Sequence, residues 1–418
     1  MGLLDTHLVT NLEGFEWGDK IAPGNEQMPA SAVGSIQIAG QRSGVYCYQS
    51  SPFGAAAYIL MPFAFTYNGL MEASRDFNYC YGRFYISILF NGLAAGQKAK
   101  VASFFDGAPS SLTEQAYLSI GSPADGAGPV LYFTDSLGAT NAGSIPIAAG
   151  AGYKRVEWFI DSINSRFFLR IDGVADMLLT GLLIRTLDSF CVGAYTSPPN
   201  GYVANFDDIR VEASDTLTTI DWPGAGKVVR LAQNGDAENE SSVWLDQGGG
   251  AANVYLSIDE TPPDAELTYI RNGTKDKRYM ADFQTAAAAG IAGTIFAVKA
   301  QSRARNEGGS IQFAQITRVG AGGIIAESGP QNFQNFYESK MSVVHDKTPD
   351  GADWTTGDID SLRSGAILRF NVGTIWARMT TQVVQVEYDA TVVGFFVPRI
   401  TCDPFIGGRR QLINPRPQ

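Results

Sequence analysis

KRVEWFIDSINSRFFLRIDGV, residues 154–174, reads as two β-strands joined by a turn. Val156, Trp158 and Ile160 alternate with Glu157, Phe159 and Asp161. Ser162-Ile163-Asn164-Ser165 interrupts the run, and Arg166 to Ile171 begins a second one. Apolar residues at every second position place one face of each strand on a core. Asp172-Gly173 closes the second strand, because glycine supplies the positive φ that a tight turn needs.

Downstream, Val203 to Glu212 (VANFDDIRVE) reads as a final strand returning to the same sandwich. Together the two pieces resemble the concanavalin-like, or laminin-G-like, jelly-roll family. There a strand pair ending in Asp-Gly (Asp172-Gly173 here) precedes a closing strand of the type Asp207-Asp208-Ile209-Arg210-Val211. The resemblance implies a β-sandwich and carries a fold, not a function.

At 418 residues the chain is too long for one ordinary domain. Its 46 glycines and 19 prolines fit the many turns of an all-β protein. The net charge of −11, from 31 basic and 42 acidic residues, argues against nonspecific nucleic-acid binding, which needs clustered lysine and arginine. Cys47, Cys80, Cys191 and Cys402 lack zinc or redox spacing and read as buried or free thiols. No apolar run is long enough to span a membrane, and Met1-Gly2-Leu3-Leu4 leads into polar residues without a signal peptide. Neither membrane insertion nor general secretion is expected, and no cofactor is.

Taken in order, residues 1–13 read as an N-terminal arm and 14–213 as the jelly-roll domain. Its first strand is expected at Gly14 to Asp19, and others follow about every ten residues. Residues 214–226 form a linker ending in the breaker cluster Trp222-Pro223-Gly224-Ala225-Gly226. Strand rhythm resumes over 227–396 as a second β-sandwich, with Asn253 to Ile258 among its strands. Two short helices are expected, at Gln284 to Ala289 and at Thr356 to Ser364, the latter capped by Thr356-Gly357-Asp358. Residues 397–418, with Arg399, Arg409, Arg410 and Arg416, form a basic arm on an acidic protein, read either as a disordered end or as an arm that docks on a neighbouring subunit. The fold class is all-β: two tandem β-sandwiches with extended arms.

Little catalytic chemistry is visible. His7 and His345 are the two histidines, and no Gly-x-Ser-x-Gly elbow faces His345. Jelly-roll glucanases carry Glu-x-Asp-x-x-Glu on one strand, and Glu157 to Asp161 has the wrong spacing. Gly248-Gly249-Gly250 and the glycines from Gly320 to Gly323 match no phosphate loop. Asp207-Asp208 supplies two oxygens for a hard cation such as calcium but no further ligand set; one aspartate at solvent and one in a turn is the plainer reading. For sugar stacking the candidate is the Tyr195–Tyr202 loop, with Tyr195, Asn200 and Tyr202 around a Pro-Pro-Asn-Gly turn; a purely structural turn is the plainer reading.

The second half resembles a module of tailed-phage virion proteins. The matching residues are Thr268-Tyr269-Ile270, Tyr279 to Phe283, Gly293 to Arg305 and WTTGDIDSLRSG at Trp354 to Gly365, then Met379 to Tyr388. This resemblance implies a non-enzymatic structural protein of a virion (tail, neck or head surface), made in the host cytoplasm. Its partners would be other virion proteins and copies of itself, joined through sandwich edges and arms. The alternatives are a tail adhesin binding a host surface glycan through the first domain, and a polysaccharide depolymerase.

Overall fold

The structure is a computed structural model. It describes residues 77–106, 113–122, 128–187, 189–194, 201–214, 222–259, 267–333, 335, 338–371 and 376–389. Shorter stretches precede these, at 8–13, 35–37, 47–50, 52, 57–62, 65–67 and 70–72. Gly14 to Asp19 and the four arginines of the expected C-terminal arm lie outside the described residues.

The chain is all-β and built from stacked sheets. In its first half an eight-stranded antiparallel sheet centres on Tyr79–Asn91, which pairs with Lys154–Asp161 on one side and Tyr202–Ser214 on the other. A six-stranded sheet lies opposite, with Lys98–Asp106, Thr113–Gly121, Val130–Asp135 and Ser189–Ala194 at its heart. One buried cluster draws side chains from both sheets. At its centre Trp158 meets Phe104 edge-on, with centroids 4.8 Å apart, and stacks on Phe190 at 5.0 Å. The register follows from the alternation in Lys154 to Val174: Val156 faces Ile171, Trp158 faces Leu169 and Ile160 faces Phe167, all buried.

The second half repeats the plan with two six-stranded sheets. One centres on Ala377–Asp389 beside Ile295–Asn306, the other on Leu362–Asn371 between Arg278–Phe283 and Ile311–Val319. Trp244, Tyr279, Phe313 and Met379 are buried in the core between them. That core also carries a polar thread: Ser302 Oγ bonds Gln315 Oε1 at 2.7 Å, and Gln315 Nε2 donates to Ser364 Oγ at 2.9 Å.

Four local expectations change. Residues 8–13, read as part of an arm, form the strand Leu8–Glu13, which pairs antiparallel with Tyr202–Ser214. Asn253 to Ile258, read as a strand, contains a 3-10 turn at Val254–Ser257. The cause is distant: the Asp236 carboxylate accepts the amides of Val254 and Tyr255, each at 2.9 Å, and holds the chain in a turn. The helix Thr356–Asp360 is capped one residue earlier than expected. Thr355 Oγ1 accepts the Asp358 amide at 3.2 Å, and the Asp358 carboxylate accepts the Thr355 amide at 2.8 Å, a capping box. Gln284 to Ala289 forms a turn, not a helix.

Candidate functional site

Each sheet of the first sandwich has an outer face, and the two differ in chemistry. On the eight-stranded sheet the outer face is closed by the linker and the second sandwich. Arg83 is fully buried there. Its guanidinium pairs with Glu387 of the second sandwich and donates to the carbonyls of Pro223 (3.1 Å), Gly224 (3.2 Å) and Asp208 (3.4 Å). Glu387 also takes Arg210 at 3.0 Å. Burial works against the Arg210 charge, but Glu212 and Glu387 outweigh it and hold its pKa above the usual value. The buried Glu157 accepts the Gly224 amide at 3.0 Å, and Arg170 lies 4.8 Å over the Trp222 ring.

Asp207 and Asp208, the calcium candidates, belong to this closed joint. Both are buried, so the expected solvent-facing aspartate is absent from this pair. The chain carries an extra residue here, because Asp207 pairs with Tyr85 but Arg210 with Arg83, and Asp208 takes up the bulge at φ 48°. Asp208 Oδ1 accepts the Val228 amide at 2.7 Å, and Asp207 Oδ1 accepts the Asp208 amide at 2.8 Å. The Asp208 oxygen ties the closing strand of one sandwich to the opening strand of the next, and the Asp207 oxygen holds the bulge.

Of the sugar candidates, Tyr202 alone is among the described residues; Tyr195 and Asn200 lie outside them. Tyr202 is wholly buried, and its hydroxyl crosses the sandwich to donate to the Lys100 carbonyl at 2.8 Å. Burial raises its pKa. The ring braces the two sheets and offers no surface to a ligand, which corrects its reading as a stacking residue. His345 ends the strand Glu338–His345, and its backbone carbonyl accepts the Trp354 indole N–H at 3.1 Å.

The outer face of the six-stranded sheet carries the open chemistry. Strand register sets Cys191, Ser103, Tyr117, Thr134 and Thr140 in one row, and Lys100, Ser119 and Tyr132 in the next. Lys98 lies in the row beyond, opposite Gly121. Two lysines lie over two tyrosines: Lys98 Nζ is 4.1 Å from the Tyr132 centroid and Lys100 Nζ 4.3 Å from that of Tyr117. The cation–π attraction holds each flexible ammonium in place. Gly121 makes the first stack possible, because a Cβ there would meet Tyr132 at 2.8 Å and Lys98 at 2.9 Å. Lys100 also pairs with Glu114. Ser119 and Ser103 are buried within these rows. Cys191 packs with Phe105 and Tyr58, and burial raises its pKa, so it stays a thiol. Two ammoniums, two half-exposed phenol rings and a carboxylate thus share one sheet face.

No protein family matches the sequence, and no curated protein does. Solved structures do. The cellulose-induced protein Cip1 matches at 14% identity, covering 49% of this chain and 99% of its own, with a TM-score of 0.33. Domain 4 of the extracellular arabinanase AbnA from Geobacillus stearothermophilus, in complex with arabinotriose, matches at 16% identity over 50% and 94%, with a TM-score of 0.32. A carbohydrate esterase from Shiga toxin-encoding bacteriophage phi24B matches at 14% identity over 50% and 99%, with a TM-score of 0.35. Likeness at this level says nothing about ligand or chemistry. Among the described residues no helix is long and apolar enough to cross a membrane.

Proposed function

We propose that this chain is a non-enzymatic carbohydrate-binding protein that holds a glycan against the outer face of its six-stranded sheet. The observation behind this reading is the pair of lysine-on-tyrosine stacks, Lys98 on Tyr132 and Lys100 on Tyr117. Donors already fixed on rings lose less freedom on binding than free lysines would. Tyrosine rings offer apolar area to the C–H face of a sugar and a phenol to its hydroxyls. Glu114 adds an acceptor beside them, and its pairing with Lys100 suits binding better than acid catalysis. The test is affinity electrophoresis of the full chain through a panel of soluble polysaccharides. Retardation by at least one, weakened about tenfold or more in Tyr117→Ala and Tyr132→Ala, is expected. No retardation by any polymer would end the reading.

A second reading places the chain in a tailed-phage virion, as a tail, neck or head-surface component in contact with other virion proteins and copies of itself. It is supported by the resemblance of Trp354 to Gly365 to virion modules. In the fold those residues are structural: Trp354, Ile359 and Leu362 are buried, and a Cβ at Gly365 would meet the Tyr279 carbonyl at 1.8 Å. The two readings combine as an adhesin. Quantitative mass spectrometry of gradient-purified particles tests the setting, and absence from clean particles would end it.

A further inference from the structure

Resting on the carbohydrate reading, the geometry points to an acidic ligand: we propose that the Lys98–Tyr132 stack receives the carboxylate of an acidic sugar in the polymer. The two stacks share a lysine held on a tyrosine ring and differ in the anion that meets it. Lys100 lies on Tyr117 and is met by the Glu114 carboxylate, so cation, ring and anion are complete within the chain. Lys98 lies on Tyr132 at nearly the same distance, is exposed, and has no carboxylate partner among the described residues. The missing member of the second set is an anion, and the first set shows which anion a lysine held this way accepts.

Two further observations bear on the ligand. Gly121, opposite Lys98, lets the Tyr132 ring and the Lys98 stem close over its strand, because a Cβ there would meet them at 2.8 and 2.9 Å, and the ammonium is thereby held on the ring at the exposed end of the row. The whole chain carries −11, which repels dense polyanions at long range. A ligand with one carboxylate per sugar suffers less from that repulsion than a heavily sulfated one. Uronates and sialates share this chemistry.

The experiment compares polygalacturonate, its fully methyl-esterified form and polysialate by isothermal titration against the full chain. The ester keeps the backbone and removes the charge. About a tenfold preference for an acid form over the ester is expected, the size of one charge-assisted hydrogen bond. Lys98→Gln should bring that ratio close to one, and Lys98→Arg should keep it; circular dichroism checks that each variant is folded. Binding of polygalacturonate or of polysialate alone would support the proposal and name the sugar. Equal affinity for acid and ester in the wild type, or an undiminished ratio in Lys98→Gln, would overturn it while leaving carbohydrate binding standing. No binding to any of the three, where the broader panel does retard the chain, overturns it too. If that panel also fails, both readings fall.

Discussion

The two outer faces of the first sandwich use similar side chains to opposite ends. On the eight-stranded sheet, Arg83 and Arg210 are buried and their charges are answered inside the protein by Glu387, Glu212 and backbone carbonyls. On the six-stranded sheet, Lys98 and Lys100 stand over tyrosines within reach of solvent, and one of them has no anion of its own among the described residues. Taking charges out of water is costly, so a buried set must be complete. An exposed set can be left incomplete at little cost, and incompleteness is what a binding site requires. The outer face of the second sandwich, around Glu238, Arg278 and Arg318, follows the first rule in milder form: its charges pair among themselves.

The sharpest way to break this comparison is Glu387→Ala. It strips the carboxylate from between two buried guanidiniums and should cost about 3–5 kcal/mol, read by urea denaturation. A loss under about 1 kcal/mol would show that the joint is wetter or looser than described, and the contrast between the faces would fail. Acid probes a residue outside both faces. Burial pushes the His345 pKa down to about 4 from 6.5. Between those values the unfolded chain binds the proton and the folded chain does not, so stability falls as pH drops through that window. The total loss should be no more than about 3 kcal/mol. His345→Gln should remove that part of the slope, and an unchanged slope would mean the imidazole is accessible in the fold.

Tyr202→Phe sharpens the boundary between core and site. Losing the hydrogen bond to the Lys100 carbonyl should cost about 1 kcal/mol of stability and leave glycan binding intact. Loss of binding at full stability would return Tyr202 to the site.

Much of the architecture was legible. Val156, Trp158 and Ile160 alternate because one strand face meets a core, and period two survives any tertiary context that buries one face. The turn at Val254 was not legible, because its cause is Asp236, on another strand. Tyr202 misled for a related reason: a tyrosine beside a Pro-Pro-Asn-Gly turn looks the same whether its hydroxyl meets solvent or the Lys100 carbonyl. The lysine–tyrosine face was missed although a signal existed. Ala116, Leu118 and Ile120 fix the inward phase of their strand, which turns Tyr117 and Ser119 outward, and Lys98 and Lys100 flank the inward Ala99 in the same way. Register between three strands is what joins them, and no single strand reveals it. Arg83, alone among aromatics in YCYGRFYISILF, was a similar unused sign of a buried partner.

The smallest expected effect is also the most direct control, because it repeats the first experiment on the open face. Lys100 and Glu114 form the same kind of ion pair as Arg83 and Glu387, but their side chains are 19% and 24% exposed where the other two are at 0%. Water already screens the open pair, and Lys100 has a second contact, on the Tyr117 ring, that does not involve the carboxylate. Glu114→Gln should therefore cost at most about 1 kcal/mol in the same urea titration that reads Glu387→Ala. It should also leave Lys100 without its internal anion. The acid-over-ester preference should then rise, because a second ammonium becomes free to meet a ligand carboxylate. A stability loss as large as that of Glu387→Ala would show that exposure is not what separates the two faces. A preference that falls would mean Glu114 itself holds the sugar.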